Sequence, residues 1–286
     1  MDRKILDSKV NINKLMDKVD DLPDAARQYH EIDILENFSS LFAVNSKTQQ
    51  VYSGSDLDTL IANQASLSSL NFYIVHFFSF VGNPDTKDAE YVHTGEVTGC
   101  IGIGCSDDYL IQLTLQTSDY RYFGFTNTAG ESDIVDVDEE VVLIYPINDT
   151  KYYKFNSIAY ANERNSIVIA AAQESDSDLL NSYGLKYPLD YQDPDSGIRL
   201  YEPTANLSVN QQGRLNSFRD DFIEYYENNF GSPTQFTWDQ VEIHHMRPLK
   251  YGGSNAMTNG IPLMKAAYSH AIIPKHAYLT RWWTYY

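Results

Sequence analysis

Four of the chain's seven histidines fall in one segment near its C-terminal end, with the sequence VEIHHMRPLKYGGSNAMTNGIPLMKAAYSHAIIPKH over residues 241–276. The adjacent pair His244 and His245 lies near the start of this segment, and His270 and His276 lie near its end. Adjacent side chains on a β-strand point to opposite faces. One histidine of the pair can therefore bind a metal ion while the other faces a substrate, which predicts metal-assisted hydrolysis.

The order of residues in this segment resembles the HNH, or ββα-metal, endonuclease family, most closely the colicin-type DNases and related bacterial toxin nucleases. The resemblance covers only the chain from Val241 onward. It implies a strand that ends in the histidine pair, a loop, a second short strand near residues 259–261, and a helix from about Pro262, where proline suits the first helical position. The matching residues are Glu242-Ile-His244-His245, Pro248, Gly252-Gly253, Asn259, Pro262-Leu263 and His270.

The resemblance also implies the role of each matching side chain. His244 would bind the metal ion, and His270 would be the second ligand. His245 would be the general base that activates water, and Asn259 would orient it. Glu242 would help to position an active-site group. The cofactor is expected to be a divalent ion: imidazole ligands suit zinc and nickel, and a site with open positions also accepts magnesium or manganese.

One position departs from the family pattern. In the colicin type a further ligand follows the helical histidine by four residues, but here that position is Pro274, and the next histidine is His276. Residues six apart do not share a helix face. A proline that bends or ends the helix would still let His276 turn back toward the metal. His276 is therefore a further candidate ligand. If it does not bind, the site has two histidine ligands plus water or phosphate.

The histidine segment also differs in charge from the rest of the chain, whose formal net charge is −18 at pH 7. Residues 232–286 contain five basic and two acidic residues, a net charge of +3, which leaves −21 for residues 1–231. A local positive field attracts phosphates. The expected partner is nucleic acid, DNA rather than RNA by the resemblance, with weak sequence specificity because no base-reading element is visible.

The elements that position this segment predict an α+β fold class. Residues 1–48 have apolar side chains at helical spacing, and residues 70–172 contain alternating and β-branched runs separated by turn signals, so we expect N-terminal helices followed by a mainly antiparallel β domain. A helix is expected over 215–230, with Arg214 and Arg219 near its start, where one of them can reach a phosphate. The predicted organisation is an acidic domain of unknown role at 1–175, a linker at 176–213 and a small HNH nuclease domain at 214–286.

The cysteines and the start of the chain bear on the cellular compartment. Cys100 and Cys105 would lie on opposite faces of a regular strand, which favours two buried thiols over a disulfide or a metal pair. The start, Met1-Asp2-Arg3-Lys4, lacks the apolar segment of a cleavable signal peptide, and the longest apolar stretches are too short to span a bilayer. We therefore expect no membrane partner, and a protein that is cytoplasmic or exported without a plain secretory signal.

The favoured function is a metal-dependent endonuclease that acts as a bacterial toxin or defence effector, and in a toxin an immunity protein is expected to cover the basic segment. The alternative is an acidic binding or inhibitory protein, in which the −21 body mimics nucleic acid or binds a basic partner while the histidines form a structural, zinc-stapled module. A third hypothesis is an auto-inhibited nuclease whose acidic body docks on the basic segment. Metal-dependent cleavage that requires His245 distinguishes the first hypothesis from the second.

Overall fold

The computed structural model describes residues 34–286 except 46, 49, 54, 63–71, 83–88, 102–107, 164–165, 211 and 271. These residues form two compact units. Of the described residues, unit 1 comprises those up to 117 together with those in 125–148 and 153–177, and unit 2 comprises those in 118–124, 149–152 and 178–286. Within the described ranges, none of the helices has the length and apolar character that a membrane crossing requires.

Unit 1 consists mainly of two β-sheets. In the first sheet β1 pairs with β2 and β3, β3 pairs with β4, and β4 pairs with β7, all in antiparallel fashion. In the second sheet β9 pairs with β8, which lies beside β5, and β5 pairs with β6. The elements are β1 (Ile34–Asn45), β2 (Val51–Ser53), α1 (Ser55–Ala62), β3 (Phe72–Gly82), β4 (Ala89–Ile101), β5 (Asp108–Ser118), β6 (Thr126–Asp136), β7 (Glu140–Ile147), β8 (Lys151–Glu163) and β9 (Ser166–Glu174).

The core of unit 1 lies between the two sheets. Along β5 the side chains alternate, and Ile111 and Leu113 are buried on the inner face, as the sequence pattern predicts. Tyr73 of β3 meets Tyr109 of β5 edge to face, with 5.8 Å between ring centroids. These contacts join the sheets face to face through apolar side chains.

The predicted α+β class with N-terminal helices is wrong, because the described part of unit 1 is mostly antiparallel sheet. Residues 34–42 were expected to be helical but belong to β1, which pairs with β3 from Ile34 opposite Gly82 to Asn45 opposite Phe72. Backbone pairing with a strand distant in sequence overrides local helical spacing here. The first 33 residues of the helical prediction lie outside the described residues.

The interpretation of Cys100 as a buried thiol is also wrong, because this cysteine is disulfide-bonded. The prediction assumed one regular strand that carries both cysteines. β4 ends at Ile101, one residue after Cys100, so the face rule does not apply between the two positions. Cys105 lies outside the described residues.

Unit 2 contains the histidine segment. Residues 178–213, most of the segment predicted as a linker, belong to this unit and include the buried side chains of Tyr187 and Asp193. The regular elements of unit 2 are β10 (Asp178–Leu180), α2 (Phe218–Phe230), β11 (Val241–His245), a 3-10 turn (Met257–Asn259), β12 (Gly260–Met264) and α3 (His276–Thr284).

An antiparallel ribbon of β11 and β12 is the base on which the helices of unit 2 pack. Its register runs from Val241 opposite Met264 to His245 opposite Gly260. Phe218 and Phe222 lie one helical turn apart on the buried face of α2. A Cβ atom on Gly260 would stand 2.4 Å from the Phe222 ring, so only glycine permits this close approach of α2 to the ribbon.

The helix that the resemblance places from about Pro262 begins at His276 instead. Pro262 lies within β12, opposite Ile243. Proline is tolerated there because its nitrogen faces away from β11, and among the described residues no strand pairs with Pro262 on that side. The segment after β12 returns to the ribbon, where the N–H of Met264 donates to the carbonyl of Pro274, and α3 then starts.

Candidate metal centre

His244 and His276 come together at the junction of the ribbon and α3. Their rings meet edge to face with 5.0 Å between centroids. The Nε2 atom of His244 is buried and has no hydrogen-bond partner among the described residues. Thr280 lies one turn further along α3, with its Oγ1 atom 3.5 Å from Nδ1 of His276. A buried ring nitrogen without a partner is costly, and a bound ion would satisfy it.

Both histidines are neutral at neutral pH. Burial, together with the neighbouring His276, His245 and Arg214, lowers the pKa of His244 to about 3. Burial also lowers the pKa of His276; Arg214 acts in the same direction and Glu242 opposes it. Because a metal ion binds the unprotonated ring, the pair fits a divalent cation without first losing protons.

The donor set suits a site with open coordination positions. Among the side chains of the described ranges, no group of three or more His, Cys, Asp or Glu residues is arranged to hold a metal ion. The imidazoles of His244 and His276 are therefore the donors that can be named. Two imidazoles match zinc or nickel, and magnesium or manganese would take further oxygen ligands from water or phosphate.

His270, the predicted second ligand, lies outside the regular elements. Its backbone belongs to the irregular segment between β12 and α3. Its Nδ1 atom accepts hydrogen bonds from the backbone N–H groups of Ile272 and Ile273 at 3.2 and 3.3 Å. The histidine that lies on a helix and touches His244 is His276, the candidate that the spacing argument left open.

His245 points away from this pair, to the opposite face of β11. This alternation was predicted from the adjacent positions on a strand. The ring of His245 stacks on Phe218 of α2 with 3.9 Å between centroids, and only 7% of the residue is exposed. Burial lowers its pKa, a hydrogen bond to Oδ1 of Asn255 raises it and Arg214 lowers it. The ring is therefore neutral and able to accept a proton.

Asn255, rather than the predicted Asn259, contacts His245. The Oδ1 atom of Asn255 lies 3.3 Å from Nε2 of His245 and also accepts a hydrogen bond from the backbone N–H of Leu215. The Nδ2 atom of Asn255 donates to the carbonyl of Gly213 at 2.8 Å, which fixes the amide orientation. Because an amide oxygen only accepts, Nε2 of His245 carries the proton, and Nδ1 is the nitrogen that can take another.

Asn259 instead organises the loop between the two strands of the ribbon. Its Oδ1 atom accepts from the N–H of Arg247, and its Nδ2 atom donates to the carbonyls of Arg247 and Ser254. Both asparagines follow the glycine turn of this loop, and nothing in their spacing tells them apart. Sequence reasoning therefore missed Asn255, and only the path of the loop reveals it.

Arg214 adds positive charge beside the three histidines. Its side chain is exposed, one Nη atom donates to the carbonyl of Ile243 at 3.2 Å, and the guanidinium carbon lies 5.4 Å from the centre of the Phe218 ring. Among the described residues it has no carboxylate partner in an ion pair. The same charge lowers the pKa of His244, His245 and His276, so it lies near all of them.

Glu242 occupies the same face of β11 as His244, two residues earlier. Its carboxylate forms long ion pairs of 3.8 Å with Arg219 and with Lys265. It also raises the pKa of His276. Glu242 is therefore placed to balance charge around the pair, and the positioning role that the resemblance implies stays a prediction.

The structure thus brings His244, His245, His276 and Arg214 into one region of unit 2, places Glu242 on the same strand, and gives His270 and Asn259 other contacts. Comparisons of the chain with protein-family models, curated proteins and solved structures found no match. The site itself is therefore the basis for a functional proposal.

Proposed function

We propose that the protein is a metal-dependent endonuclease that hydrolyses phosphodiester bonds of nucleic acid. The observation that carries this proposal is the buried, unpartnered Nε2 atom of His244 beside the neutral His276, with His245 next in sequence on the opposite face. The strand, loop, strand and helix of β11, β12 and α3 follow the order that the resemblance implies. By that resemblance the substrate is DNA, cut with weak sequence specificity, in a bacterial toxin or defence effector that an immunity protein would cover.

His244 and His276 would hold the divalent ion. When bound, such an ion offsets negative charge on the phosphoryl oxygens and stabilises the leaving oxygen. The protein supplies the remaining requirements through its own side chains. Both ligands are neutral before binding, so no proton has to be displaced from either ring.

His245 is the proposed general base. Asn255 holds the proton of the neutral ring on Nε2, so Nδ1 is the atom that would take a proton from the attacking water. Stacking on Phe218 keeps the ring in one orientation. A neutral imidazole that accepts a proton in the transition state contributes about 10²- to 10⁴-fold to a rate.

Arg214 is proposed to bind the phosphate. Its guanidinium group presents several N–H donors and uses one of them on the carbonyl of Ile243. An arginine without a carboxylate partner offers its remaining donors to phosphate oxygens, which it binds in a fixed planar geometry. This charge would position the substrate beside His245 and offset the field of the acidic residues elsewhere in the chain.

Plasmid cleavage by the purified full chain tests the proposal. Nicking is measured with Mg²⁺, Mn²⁺, Ni²⁺ or Zn²⁺, for the wild-type protein and for His245→Ala. We expect cleavage that requires one of these ions and falls by about 10²- to 10⁴-fold in the variant. Wild-type cleavage by a folded His245→Ala variant would remove the proposed base.

A second candidate function rests on the charge of residues 1–231, which is −21. Such a body can bind a basic partner or mimic nucleic acid, and the histidine segment would then serve as a zinc-bound scaffold. The same experiment separates the two functions. A folded protein that binds zinc but cuts no plasmid with any of the four ions would favour the binding protein.

A further inference from the structure

Cations that lie over aromatic rings fall into two groups in the described residues. Arg121 and Lys154 lie over rings but also form ion pairs with carboxylates. The second group has no carboxylate partner within the described part of the chain, and all of its members belong to unit 2: Arg214, Arg247, Lys250 and Arg281. Cation and ring together offer a nucleotide both a phosphate contact and a stacking surface.

Arg281 lies beside two stacked tyrosines. The rings of Tyr183 and Tyr285 are nearly parallel, with 4.5 Å between centroids and 19° between planes. The guanidinium carbon of Arg281 lies 5.0 Å from the centre of the Tyr183 ring. Arg281 is exposed, and 39% of Tyr285 is exposed. An open aromatic surface and an unpaired positive charge therefore occupy the same place.

The stack is fixed by hydrogen bonds between α3 and the turn that carries Tyr183. Asn181 donates from Nδ2 to the carbonyl of Trp282 at 2.8 Å, and the indole of Trp282 donates to the carbonyl of Leu185 at 2.7 Å. The N–H of Ser182 donates to the carbonyl of Tyr285. Because the rings are already held in place, a ligand that stacks on them orders little of the protein.

We propose that Tyr183, Tyr285 and Arg281 form a platform for an unpaired base of a single-stranded nucleic acid, with the adjoining phosphate bound at Arg281. The inference rests on the proposed nuclease function, since α3 carries both the platform and His276. His276 and Arg281 are five positions apart on α3, an axial rise of about 7.5 Å and a rotation of about 140° around the helix, so a strand on the platform would have to pass around α3 to reach the histidines. Stacking on the platform requires an unpaired base, which favours substrates with unpaired segments.

A second set of exposed rings in unit 2 provides a matched control. Tyr122 is 77% exposed and Phe123 is 63% exposed, but the neighbouring Arg121 is neutralised by Asp190 and Glu202. Carboxylates repel phosphates, so these rings are not expected to bind nucleic acid. A change at Tyr122 removes a comparable exposed ring from an acidic environment.

The test measures binding without cleavage. The full chain in EDTA is titrated into fluorescein-labelled oligothymidylate, and into an abasic strand of the same length, with fluorescence anisotropy as the readout. We expect Tyr285→Leu to weaken binding of oligothymidylate about tenfold and Tyr285→Phe to retain it. Binding of the abasic strand should not change in Tyr285→Leu, whereas Arg281→Gln should weaken binding of both strands. Tyr122→Leu should bind both as the wild type does.

Three results would overturn the platform. Tyr285→Leu could bind oligothymidylate as tightly as the wild type does, or could lose as much affinity for the abasic strand as for oligothymidylate. Tyr122→Leu could lose as much affinity for oligothymidylate as Tyr285→Leu does. If Tyr285→Leu does not fold, unchanged binding of both strands by Arg281→Gln, whose side chain is exposed, would overturn it as well. The outcome is separable from that of the nuclease. If cleavage requires His245 but binding does not depend on the Tyr285 ring, only the platform is removed. If binding depends on the Tyr285 ring but no cleavage occurs, only the nuclease is removed.

Discussion

Two histidines in different units have the same lowered pKa but opposite hydrogen bonding. In unit 1, burial lowers the pKa of His93 to about 3, and both ring nitrogens have partners, the carbonyl of Phe78 at 3.0 Å and Oγ of Ser157 at 2.5 Å. In unit 2, burial lowers the pKa of His244 to about 3, but its buried Nε2 atom has no partner. Desolvation alone therefore does not mark a functional site. The unsatisfied nitrogen is the feature that distinguishes the proposed metal site from the core histidine.

The surroundings of the two rings agree with this distinction. His93 is fully buried between the sheets of unit 1 and stacks on Phe155 with 4.3 Å between centroids. His244 is half-buried at the junction of a ribbon and a helix, next to a second neutral histidine. The first ring is part of a packed core, and the second has the chemistry of a metal ligand.

The largest expected effect separates two histidines of the C-terminal segment. Removing His276 takes away the partner of His244, so His276→Ala should lower the cleavage rate by about a hundredfold. Loss of a residue that only supports a metal ligand already costs about 10- to 100-fold in metal affinity or activity. His270→Ala should stay within about threefold of the wild type, because His270 bonds only its own turn among the described residues. Equal losses in both folded variants would return His270 to the ligand set. Plasmid nicking with saturating metal measures both.

The next effect concerns the acid sensitivity of unit 1. The folded pKa of His93 is about 3 and its ordinary value is 6.5, so between these values the unfolded state binds the extra proton. The contribution of the neutral His93 to the free energy of unfolding is complete above pH 6.5. It decreases as the pH falls, by about 2 kcal/mol at pH 5. Urea unfolding at pH 7 and pH 5 measures this loss, and His93→Gln should lack it. An unchanged pH dependence in the variant would contradict a neutral His93.

A smaller effect tests which asparagine serves His245. Asn255→Ala removes the acceptor that keeps the ring proton on Nε2, so the cleavage rate should fall about tenfold. Asn259→Ala breaks three hydrogen bonds of the loop and should lower the free energy of unfolding by about 1–3 kcal/mol, with little change in the rate per folded molecule. The reverse pattern, measured by nicking and urea unfolding, would restore the role that the resemblance implies for Asn259.

The smallest effect is expected for a variant that leaves a buried ring nitrogen of His93 without its hydrogen-bond partner, as in His244. Ser157→Ala leaves the Nε2 atom of His93 buried without its partner and should lower the free energy of unfolding by about 1 kcal/mol. Cleavage and zinc affinity should be those of the wild type, because no second histidine meets His93 in the described part of unit 1. A change in either property would mean that the buried pair of unit 1 takes part in function.

The predictions from sequence were sound where local pattern determines structure. The alternation of Ile111 and Leu113 along β5, the buried stripe of Phe218 and Phe222 on α2, and the opposite directions of His244 and His245 follow from strand and helix periodicity. Each depends only on residues close together in the chain.

The predictions failed where contacts between distant residues decide. Helical spacing in β1 yields to backbone pairing with β3. The start of α3 at His276 depends on the return of the chain to Met264, which no local spacing reveals. The choice of Asn255 over Asn259 depends on the carbonyl of Gly213, more than forty residues away in sequence.

The most direct test of the account is a zinc titration of the full chain by isothermal calorimetry at neutral pH, for the wild type and His244→Ala. If Nε2 of His244 binds the metal, the wild-type protein binds zinc and the variant, shown to be folded by circular dichroism, loses about a hundredfold or more in affinity. Equal affinity of the two proteins would show that the unpartnered nitrogen of His244 does not bind metal, and would contradict the account.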